Sequence, residues 1–302
     1  MKPPSRKING ILILDKVIGV SSNQALQEVK KIFTAKKAGH TGSLDVLASG
    51  LLPICFGEAT KFSKYLLEAD KTYRVMFQLG KRTTTCDSEG KFTEEKSVEH
   101  VTDSLLTEVL QQFLGEIEQI PSMYSALKHK GQPLYKLARK GIEVERKPRK
   151  ITIHELKFLG RHGSQVGLEV SCSKGTYIRN LVDDIGQVLN CGAYVTMLRR
   201  LKAGPYNDSQ MIEIKQLKEL YNEGGFLALD KRIISIESIF SQFPMLNLSM
   251  EQARHLYCGR SVYLANSPLK IVKLITAPNR FIGLGSIDEN GKVIIERLLK
   301  KD

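Results

Sequence analysis

The apolar positions of the chain predict strands and helices in alternation along its first 210 residues. Short runs that are apolar throughout, or at every second position, are typical of strands. Such runs are GILILDK, LLPICFG, KTYRVMFQLG, KITIHELKFLG and QVGLEVSCS. Between them lie segments whose apolar residues recur every three or four positions, the spacing of an amphipathic helix. Ser21 or Ser22 can cap a helix in SSNQALQEVKKIF, and Thr102 can cap another that ends near residue 113.

The strongest helical pattern lies in GTYIRNLVDDIGQVLN. Its apolar stripe, which we expect to be buried, consists of Ile178, Leu181, Val182, Ile185, Val188 and Leu189. Arg179 stands one residue off this stripe near the helix start, so we expect it at the rim of the core. The mixture of strands and helices is neither a regular βαβ repeat nor all-β, and the predicted fold class is therefore α+β.

The character of the sequence changes after about Pro244. LNLSMEQARHLYCGRSVYL predicts one helix, and the segment after it predicts short strands joined by turns of the Asn-Gly type. We therefore predict a domain boundary within residues 241–248. A large domain would span residues 1–244, and a small β-rich domain would span residues 245–302.

Charge narrows the choice of partner. The formal net charge is +13 at pH 7, and the isoelectric point is about 9.4. Residues 128–150, KHKGQPLYKLARKGIEVERKPRK, hold nine Lys and Arg against two Glu, with tyrosine and leucine interleaved. A basic surface favours a polyanion through phosphate contacts and counterion release, so this segment is a candidate nucleic-acid contact. The alternative is a basic protein whose lysines are simply solvated.

Other function classes lack their signatures in the sequence. The five cysteines form no CxxC pair, and the six histidines show no metal-ligand spacing, so we expect a reduced protein without a bound metal. GHTG lacks the ending of a phosphate-binding P-loop. No apolar run approaches the roughly 18 residues of a membrane helix. The early ILIL run is followed directly by Asp15, so it does not resemble a secretory signal. We expect a cytoplasmic protein.

The segment GHTGSLDVLASG, residues 39–50, suits neither a helix nor a strand core. It holds three glycines and several small hydroxyl residues around one carboxylate, Asp45. Such an aspartate is most often a turn former or a helix cap. A functional carboxylate would instead need a cation to hold its charge and direction, and an arginine such as Arg179 supplies both. The sequence alone leaves open whether Arg179 and Asp45 meet.

The same segment, extended to GHTGSLDVLASGLLPICFGEATKF, resembles the catalytic motif of the TruB family of tRNA pseudouridine synthases. Further stretches resemble that family in the same order and cover residues 8–210. They are GILILDKVIGVSSNQAL, KTYRVMFQLGKRTTTCDSEG, PSMYSALKHKGQPLYKLARKGIEVERKPR, SKGTYIRNLVDDIG and VTMLRRLKAGPY. The end of the chain, RFIGLGSIDENGKVIIERL, looks like the family's small PUA-type RNA-binding module.

The resemblance implies a catalytic domain with a mixed, largely antiparallel sheet flanked by helices, followed by a PUA-like domain. It makes Asp45 the aspartate that starts the conversion of a uridine from an N-glycoside to a C-glycoside. Arg179 corresponds to the arginine paired with that aspartate. Tyr73 corresponds to the tyrosine that stacks on the flipped uracil. No cofactor is implied, because an isomerisation needs no redox partner.

Four further residues correspond to substrate-binding positions of the family. His40 matches a histidine that enters the space left by the opened RNA loop, and Tyr177 and Leu198 match pocket residues. Lys61 fits a structural or RNA-facing lysine. Residues 124–150 fall on a thumb-like insertion that closes over RNA. The glycines and small residues beside Asp45 would let a nucleotide approach the backbone.

Some positions depart from the family pattern. Val17 and Val46 stand where the family usually has proline, and Ser43 and Ser49 replace other small residues. Without a proline beside Asp45 we expect a more mobile loop and an active enzyme. Asp87 reads first as a turn aspartate, with pairing to a thumb or active-site cation as the second interpretation. Cys55 and Cys172 are expected to be small core residues.

The leading hypothesis is a stand-alone synthase that isomerises uridine 55 in the T-loop of tRNA. Its partner would be the T stem-loop of tRNA, with no protein partner and no membrane, and we expect a monomer. Two alternatives stay open: a pseudouridine synthase with a different RNA target, including one that needs a guide RNA, and an RNA-binding or RNA-folding protein.

Overall fold

The structure, a computed structural model, describes residues 4–125, 127–264 and 268–300. The strands are β1 Gly10–Lys16, β2 Ala38–His40, β3 Ala48–Phe56, β4 Lys71–Leu79, β5 Lys81–Thr83, β6 Phe92–Glu95, β7 Gly115–Gln119, β8 Lys128–His129, β9 Gln132–Pro133, β10 Arg149–His162, β11 Gln165–Cys172, β12 Ala193–Ala203, β13 Met245–Leu248, β14 Leu269–Thr276, β15 Arg280–Ile287 and β16 Val293–Leu298. The α-helices are α1 Ser22–Ile32, α2 Ser63–Glu68, α3 Asp103–Gln111, α4 Leu134–Ala138, α5 Ile178–Val188, α6 Ile214–Asp230 and α7 Met250–Tyr257. Short 3₁₀ helices are Gly57–Phe62, Asp208–Gln210 and Ile236–Phe240.

The main sheet has eight strands in the order β1-β3-β12-β4-β11-β10-β7, with β2 paired to β3. Its neighbouring strands are antiparallel except for β12 and β3, which run parallel. The predicted α+β class with a mixed, largely antiparallel sheet is therefore confirmed. None of the helices in the described ranges is long and apolar enough to cross a membrane.

Both faces of the main sheet are covered, which explains why some of its strands are apolar at every position. In β1, Leu12 and Leu14 pack into one core, while Ile11 and Ile13 pack into another on the opposite face. Successive side chains of a strand point to opposite faces, so a doubly covered strand needs apolar residues throughout. The first core takes in residues of α1, α3, α5 and α6, and the second takes in α2 and the phenylalanines Phe62 and Phe240.

Helix α5 forms where its apolar period predicts, but two of its side chains lie elsewhere than expected. Val188 was assigned to the buried stripe and is instead 50% exposed at the last turn. Arg179 was expected at the rim of the core and is instead buried, with 5% of its surface exposed. The stripe predicts which face of the helix is apolar, whereas the loops packed over its first turn enclose Arg179.

A second sheet, in the order β13-β14-β15-β16, packs with α7 around a core of its own. The sequence predicted one helix in residues 246–264 and missed β13, which precedes it. Helix α6 was also missed. The second sheet begins at Met245, but the division into domains 1–244 and 245–302 stays a prediction. The second sheet contacts two of the 3₁₀ helices, where Phe281 of β15 packs against Phe62 and Phe240.

The basic segment predicted to contact RNA lies between β7 and β10 in the chain. It contains the short hairpin β8–β9 and helix α4, held by a small apolar cluster of Met123, Leu134 and Leu137. Most of its charged side chains are exposed.

Candidate active site

The segment around Asp45 is only partly a loop. Its first residues belong to β2 and its last to β3, which leaves residues 41–47 as the connection between these two paired strands. The Ser22 side chain, at the start of α1, accepts from the Leu44 amide at 2.8 Å and donates to the Leu44 carbonyl at 3.0 Å. The Ala48 amide donates to the Asp45 carbonyl at 3.1 Å. These bonds fix the loop, and the side chain of Asp45 remains 46% exposed.

The segment after β1 supports the same loop. Lys16 is fully buried, and its Nζ donates to the carbonyls of Val17 at 3.0 Å and Val20 at 2.7 Å. The Gly19 amide donates to the Val46 carbonyl at 2.9 Å. The pKa of Lys16 is lowered to about 8 by burial, which the Asp45 charge partly offsets. A buried ammonium therefore orders the turn that touches the residue after Asp45.

Two glycines of the segment make room for the protein itself. Gly50 has φ +98°, and a Cβ there would lie 2.2 Å from the Arg200 carbonyl of the parallel neighbour β12. Gly42 has φ +72°, and its Cβ would lie 3.2 Å from the Arg200 guanidinium. Both conformations favour glycine. For Gly42 and Gly50 the near neighbour is thus Arg200, and the expectation that the glycines of the segment admit a nucleotide stays a prediction.

Arg179 and Asp45 do meet. Nε of Arg179 lies 2.9 Å from Oδ2 of Asp45. Nη1 donates to Oδ2 of Asp87 at 3.0 Å and to the Thr85 carbonyl at 2.9 Å, and Nη2 donates to the Tyr124 carbonyl at 2.9 Å. All three nitrogens of the guanidinium are therefore engaged, and its plane is fixed relative to the Asp45 carboxylate.

Asp87 fulfils both interpretations made from the sequence. Its Oδ1 accepts from the Glu89 amide at 3.0 Å and from the Thr85 hydroxyl at 2.5 Å, as a turn aspartate does. Its Oδ2 pairs with Arg179, and the side chain is 2% exposed. The threonine-rich stretch before it was the available signal, because hydroxyl donors next to a carboxylate favour a buried acceptor.

A small cavity of about 100 Å³ opens beside Asp45. Its lining joins residues from distant parts of the chain, namely Ser43, Leu44, Asp45, Tyr73, Thr176, Tyr177, Ile178, Arg179 and Leu198. Five predicted site residues are thus brought together: Asp45, Tyr73, Tyr177, Arg179 and Leu198. Burial raises the pKa values of Tyr73 and Tyr177, so both phenols are neutral at pH 7.

Strand register explains this convergence. In the middle of the main sheet β12 lies between β3 and β4, with Leu198 opposite Ala48 on one side and Val75 on the other. Tyr73 on β4 stands opposite Arg200 on β12. Because the Asp45 loop enters β3 beside the middle of β12, the Asp45 carboxylate lies close to Leu198 on β12 and to Tyr73 near the start of β4.

Two predicted residues lie outside this cavity. His40 is in β2 opposite Ile54, and within the described ranges its buried Nδ1 has no hydrogen-bond partner. Burial, followed by the charge of Arg200, lowers the pKa of His40. Lys61 pairs with Glu58 at 2.5 Å, and its Nζ lies 3.5 Å from the Leu298 carbonyl of β16. The structure gives Lys61 a contact between the two sheets, and a direct role in RNA binding stays a prediction.

Sequence reasoning missed Arg200, which is 1% exposed beneath the Asp45 loop. The dipeptide RR within VTMLRRLKAGPY was noted only as part of a motif, and nothing in the pattern marked which arginine is buried. In the part of the chain that the structure describes, no group of three or more His, Cys, Asp or Glu side chains is arranged to hold a metal ion.

Comparison with known families matches almost the whole chain. Residues 30–178 match the TruB family pseudouridylate synthase (N terminal domain). Residues 179–241 match the tRNA pseudouridylate synthase B C-terminal domain, and residues 244–299 match the family described as Pseudouridine synthase II TruB, C-terminal. Of the predicted site residues, five fall within the first match, and Arg179 and Leu198 fall within the second.

Curated relatives are similar over their full length. The chain is 50% identical over 297 residues to tRNA pseudouridine synthase B of Coxiella burnetii (strain RSA 493 / Nine Mile phase I), covering 98% of this chain and 96% of the relative. It is 48% identical over 303 residues to tRNA pseudouridine synthase B of Stutzerimonas stutzeri (strain A1501), covering 100% and 99%.

Solved structures share the fold. A crystal structure of a Cbf5-Nop10-Gar1 complex superposes with a TM-score of 0.73 at 25% identity, covering 96% of this chain and 84% of the other. A structure of an H/ACA RNP bound to a substrate RNA containing 2′-deoxyuridine gives a TM-score of 0.73 at 22% identity, covering 97% and 85%.

Proposed function

The chain belongs to the TruB family of pseudouridylate synthases, and from this membership we propose that it converts uridine 55 in the T-loop of tRNA to pseudouridine. The observation that carries the proposal is the ion pair of Asp45 and Arg179 in the wall of a cavity that Tyr73 and Tyr177 also line. Relatives named tRNA pseudouridine synthase B, at 48–50% identity, support both the reaction and the tRNA substrate. The protein is therefore an isomerase.

The reaction is an exchange of bonds within one nucleotide. The bond between uracil N1 and ribose C1′ breaks, a bond between C5 and C1′ forms, and overall one proton leaves C5 and one is gained at N1. We assign the nucleophile of this exchange to the Asp45 carboxylate, acting on the base ring or on C1′. Arg179 would hold the carboxylate in one direction, so that little reorganisation is needed when the nucleotide arrives.

The target base must leave its stack before Asp45 can reach it. Tyr73 would then support the flipped uracil, since stacking of a base on an aromatic ring contributes about 1–3 kcal/mol. The cavity, at about 100 Å³, is smaller than the roughly 300–1,000 Å³ of ligand pockets. Entry of a nucleotide therefore requires its walls to open. We propose that the thumb-like insertion, residues 124–150, moves, because its first residue contributes the carbonyl that Arg179 binds.

The rest of the tRNA would bind through its phosphates. Besides the basic insertion, a cavity of about 650 Å³ lies where the C-terminal sheet meets the start of the chain. Six cations contribute to its lining: Arg6, Lys7, Lys36, Lys37, Arg280 and Lys300. Glu58 is the carboxylate among the lining residues, and it is engaged by Lys61 and the Lys300 amide. A positive groove of this kind suits an RNA backbone.

Pseudouridine mapping at single-nucleotide resolution tests the proposal. Unmodified tRNA is incubated with the wild type, with Asp45→Asn, and with Asp70→Asn as a control that removes an exposed carboxylate outside the cavity. We expect position 55 to be modified by the wild type and by Asp70→Asn, while Asp45→Asn binds tRNA without modifying it. Modification by Asp45→Asn at the wild-type rate would refute the assignment of the nucleophile.

The same experiment separates the alternatives. No guide RNA or second protein is added, because we propose that the protein acts alone, as a monomer, in the cytoplasm. A wild type that binds tRNA and leaves every uridine unchanged would contradict stand-alone synthesis and favour RNA folding or guide-dependent action. Modification at a position other than 55 would retain the reaction and change the target.

A further inference from the structure

Arg200 is a buried cation in the centre of the main sheet. Its residue surface is 1% exposed, and it stands in β12 between Gly50 of β3 and Tyr73 of β4. Within residues 4–125, 127–264 and 268–300, no carboxylate forms an ion pair with it. A buried charge without a carboxylate partner disfavours folding, so the position calls for a reason other than stability.

The hydrogen bonds of Arg200 go to both sides of the Asp45 loop. Its Nη2 donates to the Gly42 carbonyl at 2.9 Å, and its Nε donates to the Leu51 carbonyl at 2.6 Å. Gly42 precedes Asp45 by three residues, and Leu51 follows it by six. One rigid guanidinium therefore ties the two ends of the segment that carries the carboxylate.

Tyr73 is the cross-strand neighbour of the same arginine. It stands opposite Arg200 in the antiparallel pair of β4 and β12, and it lines the cavity together with Asp45. Directly opposed residues of an antiparallel pair have Cβ atoms about 4.5–5.5 Å apart on one face of the sheet. Burial raises the pKa of the Tyr73 phenol, whereas the charge of Arg200 acts in the opposite direction. Arg200 thus adjoins both the Asp45 loop and Tyr73.

We propose that Arg200 is a positioning residue of the active site, which sets the place of the Asp45 loop through two backbone carbonyls and that of the Tyr73 side chain, its neighbour on the adjacent strand. The expected effect of Arg200 on the reaction rate rests on the proposed synthase function. It concerns a residue that lies beneath the cavity and is not part of its lining.

The geometry requires arginine. A guanidinium presents five donors in a planar fork, while a lysine ammonium is a single point on a flexible stem. Lysine at position 200 would keep the charge and lose the simultaneous hydrogen bonds to the Gly42 and Leu51 carbonyls. The neighbouring Arg199 offers a matched control, since its side chain is 35% exposed, pairs with Asp15 at 2.6 Å and donates to Met211, away from the Asp45 loop.

The first experiment compares full-length Arg200→Lys with Arg199→Lys in single-turnover pseudouridine formation and in tRNA binding. We expect Arg200→Lys to lower the rate of the chemical step about 10- to 100-fold while the Kd for tRNA stays within threefold. Arg199→Lys should stay within threefold for both. A rate for Arg200→Lys equal to that of Arg199→Lys would overturn the proposal.

The second experiment detects the action on Tyr73 without substrate. In protein labelled with ¹³C at the tyrosine Cζ, the Tyr73 signal is assigned from Tyr73→Phe. We expect Arg200→Lys to shift this signal, because Arg200 is the cross-strand neighbour of Tyr73. Arg199→Lys should leave the signal in place. An unchanged Tyr73 signal in folded Arg200→Lys would also refute the proposal.

A double-mutant cycle links the two readouts. If Arg200 acts partly through the Tyr73 hydroxyl, Arg200→Lys lowers the rate of pseudouridine formation by a smaller factor in the Tyr73→Phe background than in the wild type. Rate factors that simply multiply would show that Arg200 does not act through this hydroxyl. The failures are distinguishable. An inactive wild type would remove the proposed function, while the ¹³C signal would still report whether Arg200 directs Tyr73.

Discussion

Arg179 and Asp87 form a buried ion pair, with Nη1 and Oδ2 3.0 Å apart and side chains that are 6% and 2% exposed. The opposite edge of the same guanidinium faces Asp45, whose side chain is 46% exposed. One carboxylate is thus enclosed and fixes the arginine, and the other faces the cavity. This asymmetry makes Asp45 the carboxylate that is accessible to a substrate and Asp87 its indirect support.

Asp87→Asn should slow pseudouridine formation about 10- to 100-fold and leave tRNA affinity within threefold. The amide keeps the shape of the side chain, but it removes the charge that holds Arg179, so that the Asp45 carboxylate loses its fixed direction. Breaking a buried pair costs about 3–5 kcal/mol, and we expect a lower Tm as well. Single-turnover rates at a temperature where the variant remains folded separate the two effects, with exposed Asp103→Asn as the control. A wild-type rate would contradict this role.

Substitution of Tyr73 separates the ring from the hydroxyl. Tyr73→Leu removes the aromatic platform, and loss of about 1–3 kcal/mol of stacking predicts a 5- to 150-fold fall in kcat/KM. Tyr73→Phe keeps the ring and tests the hydroxyl of this side chain, which stands opposite Arg200. The measurement is kcat/KM on unmodified tRNA for both variants. Equal activity of Tyr73→Leu and the wild type would show that the ring does not support the base.

Asp184 provides a test of stability against pH. Burial and the neighbouring Asp183 charge raise its pKa from 3.8 to about 6. Because the folded state holds the proton more tightly, the contribution of Asp184 to the free energy of unfolding is complete below pH 4 and is lost as the pH rises through about 6. Asp184→Asn should therefore raise the free energy of unfolding at pH 7.5 by about 1–2 kcal/mol, after allowance for partial solvent exposure, and change little at pH 4.

Urea unfolding of the wild type and Asp184→Asn at several pH values measures that difference. Asp183→Asn is the contrasting variant. Asp183 accepts two 2.8 Å hydrogen bonds from Arg82, so loss of its charge should lower the stability of the fold. The raised pKa of Asp184 would be contradicted if the wild type and Asp184→Asn differed in free energy of unfolding by the same amount at pH 4 and pH 7.5.

The cationic groove predicts a salt-dependent contribution to tRNA binding. Lys36 and Lys37 are exposed at its wall, and the double variant Lys36→Gln, Lys37→Gln should weaken tRNA binding at 0.1 M salt. The slope of log K against log salt should fall by up to about 0.9 for each phosphate contact removed from duplex RNA. The control is Lys215→Gln, Lys231→Gln, which removes the same charge at the two ends of α6. Equal slopes for both double variants would exclude the groove.

Much of the fold followed from periodicity, and the failures have local causes. Helix α6 was missed because Gly224 and Gly225 interrupt its pattern and only Leu217 and Leu229 are buried. Strand β13 was missed because four residues give too short an alternation. Val188 was misplaced because it lies at the edge of the apolar stripe in the last turn of α5, whereas Leu189, which follows it, still packs into the core.

The candidate site, like the fold, was only partly predictable from the sequence. Asp45, Tyr73, Tyr177, Arg179 and Leu198 were named from motifs, and the structure gathers all five around one cavity. Lys61 was read as a structural or RNA-facing lysine; the structure shows its contact with the C-terminal sheet, and its role in substrate binding stays a prediction. Arg200 went unnoticed because a buried and an exposed arginine look the same in the sequence.

The sequence by itself determined the α+β class, the apolar faces of most helices and the identity of the residues around Asp45. These depend on local spacing and on residue type, both of which are present in the chain before it folds. Only the tertiary structure decided that Arg179 is enclosed between Asp45 and Asp87, that Gly42 and Gly50 make room for Arg200, and that Tyr73 stands beside that arginine. Such relations arise from the packing of elements that are distant in the chain, and they join residues from 92 to 158 positions apart.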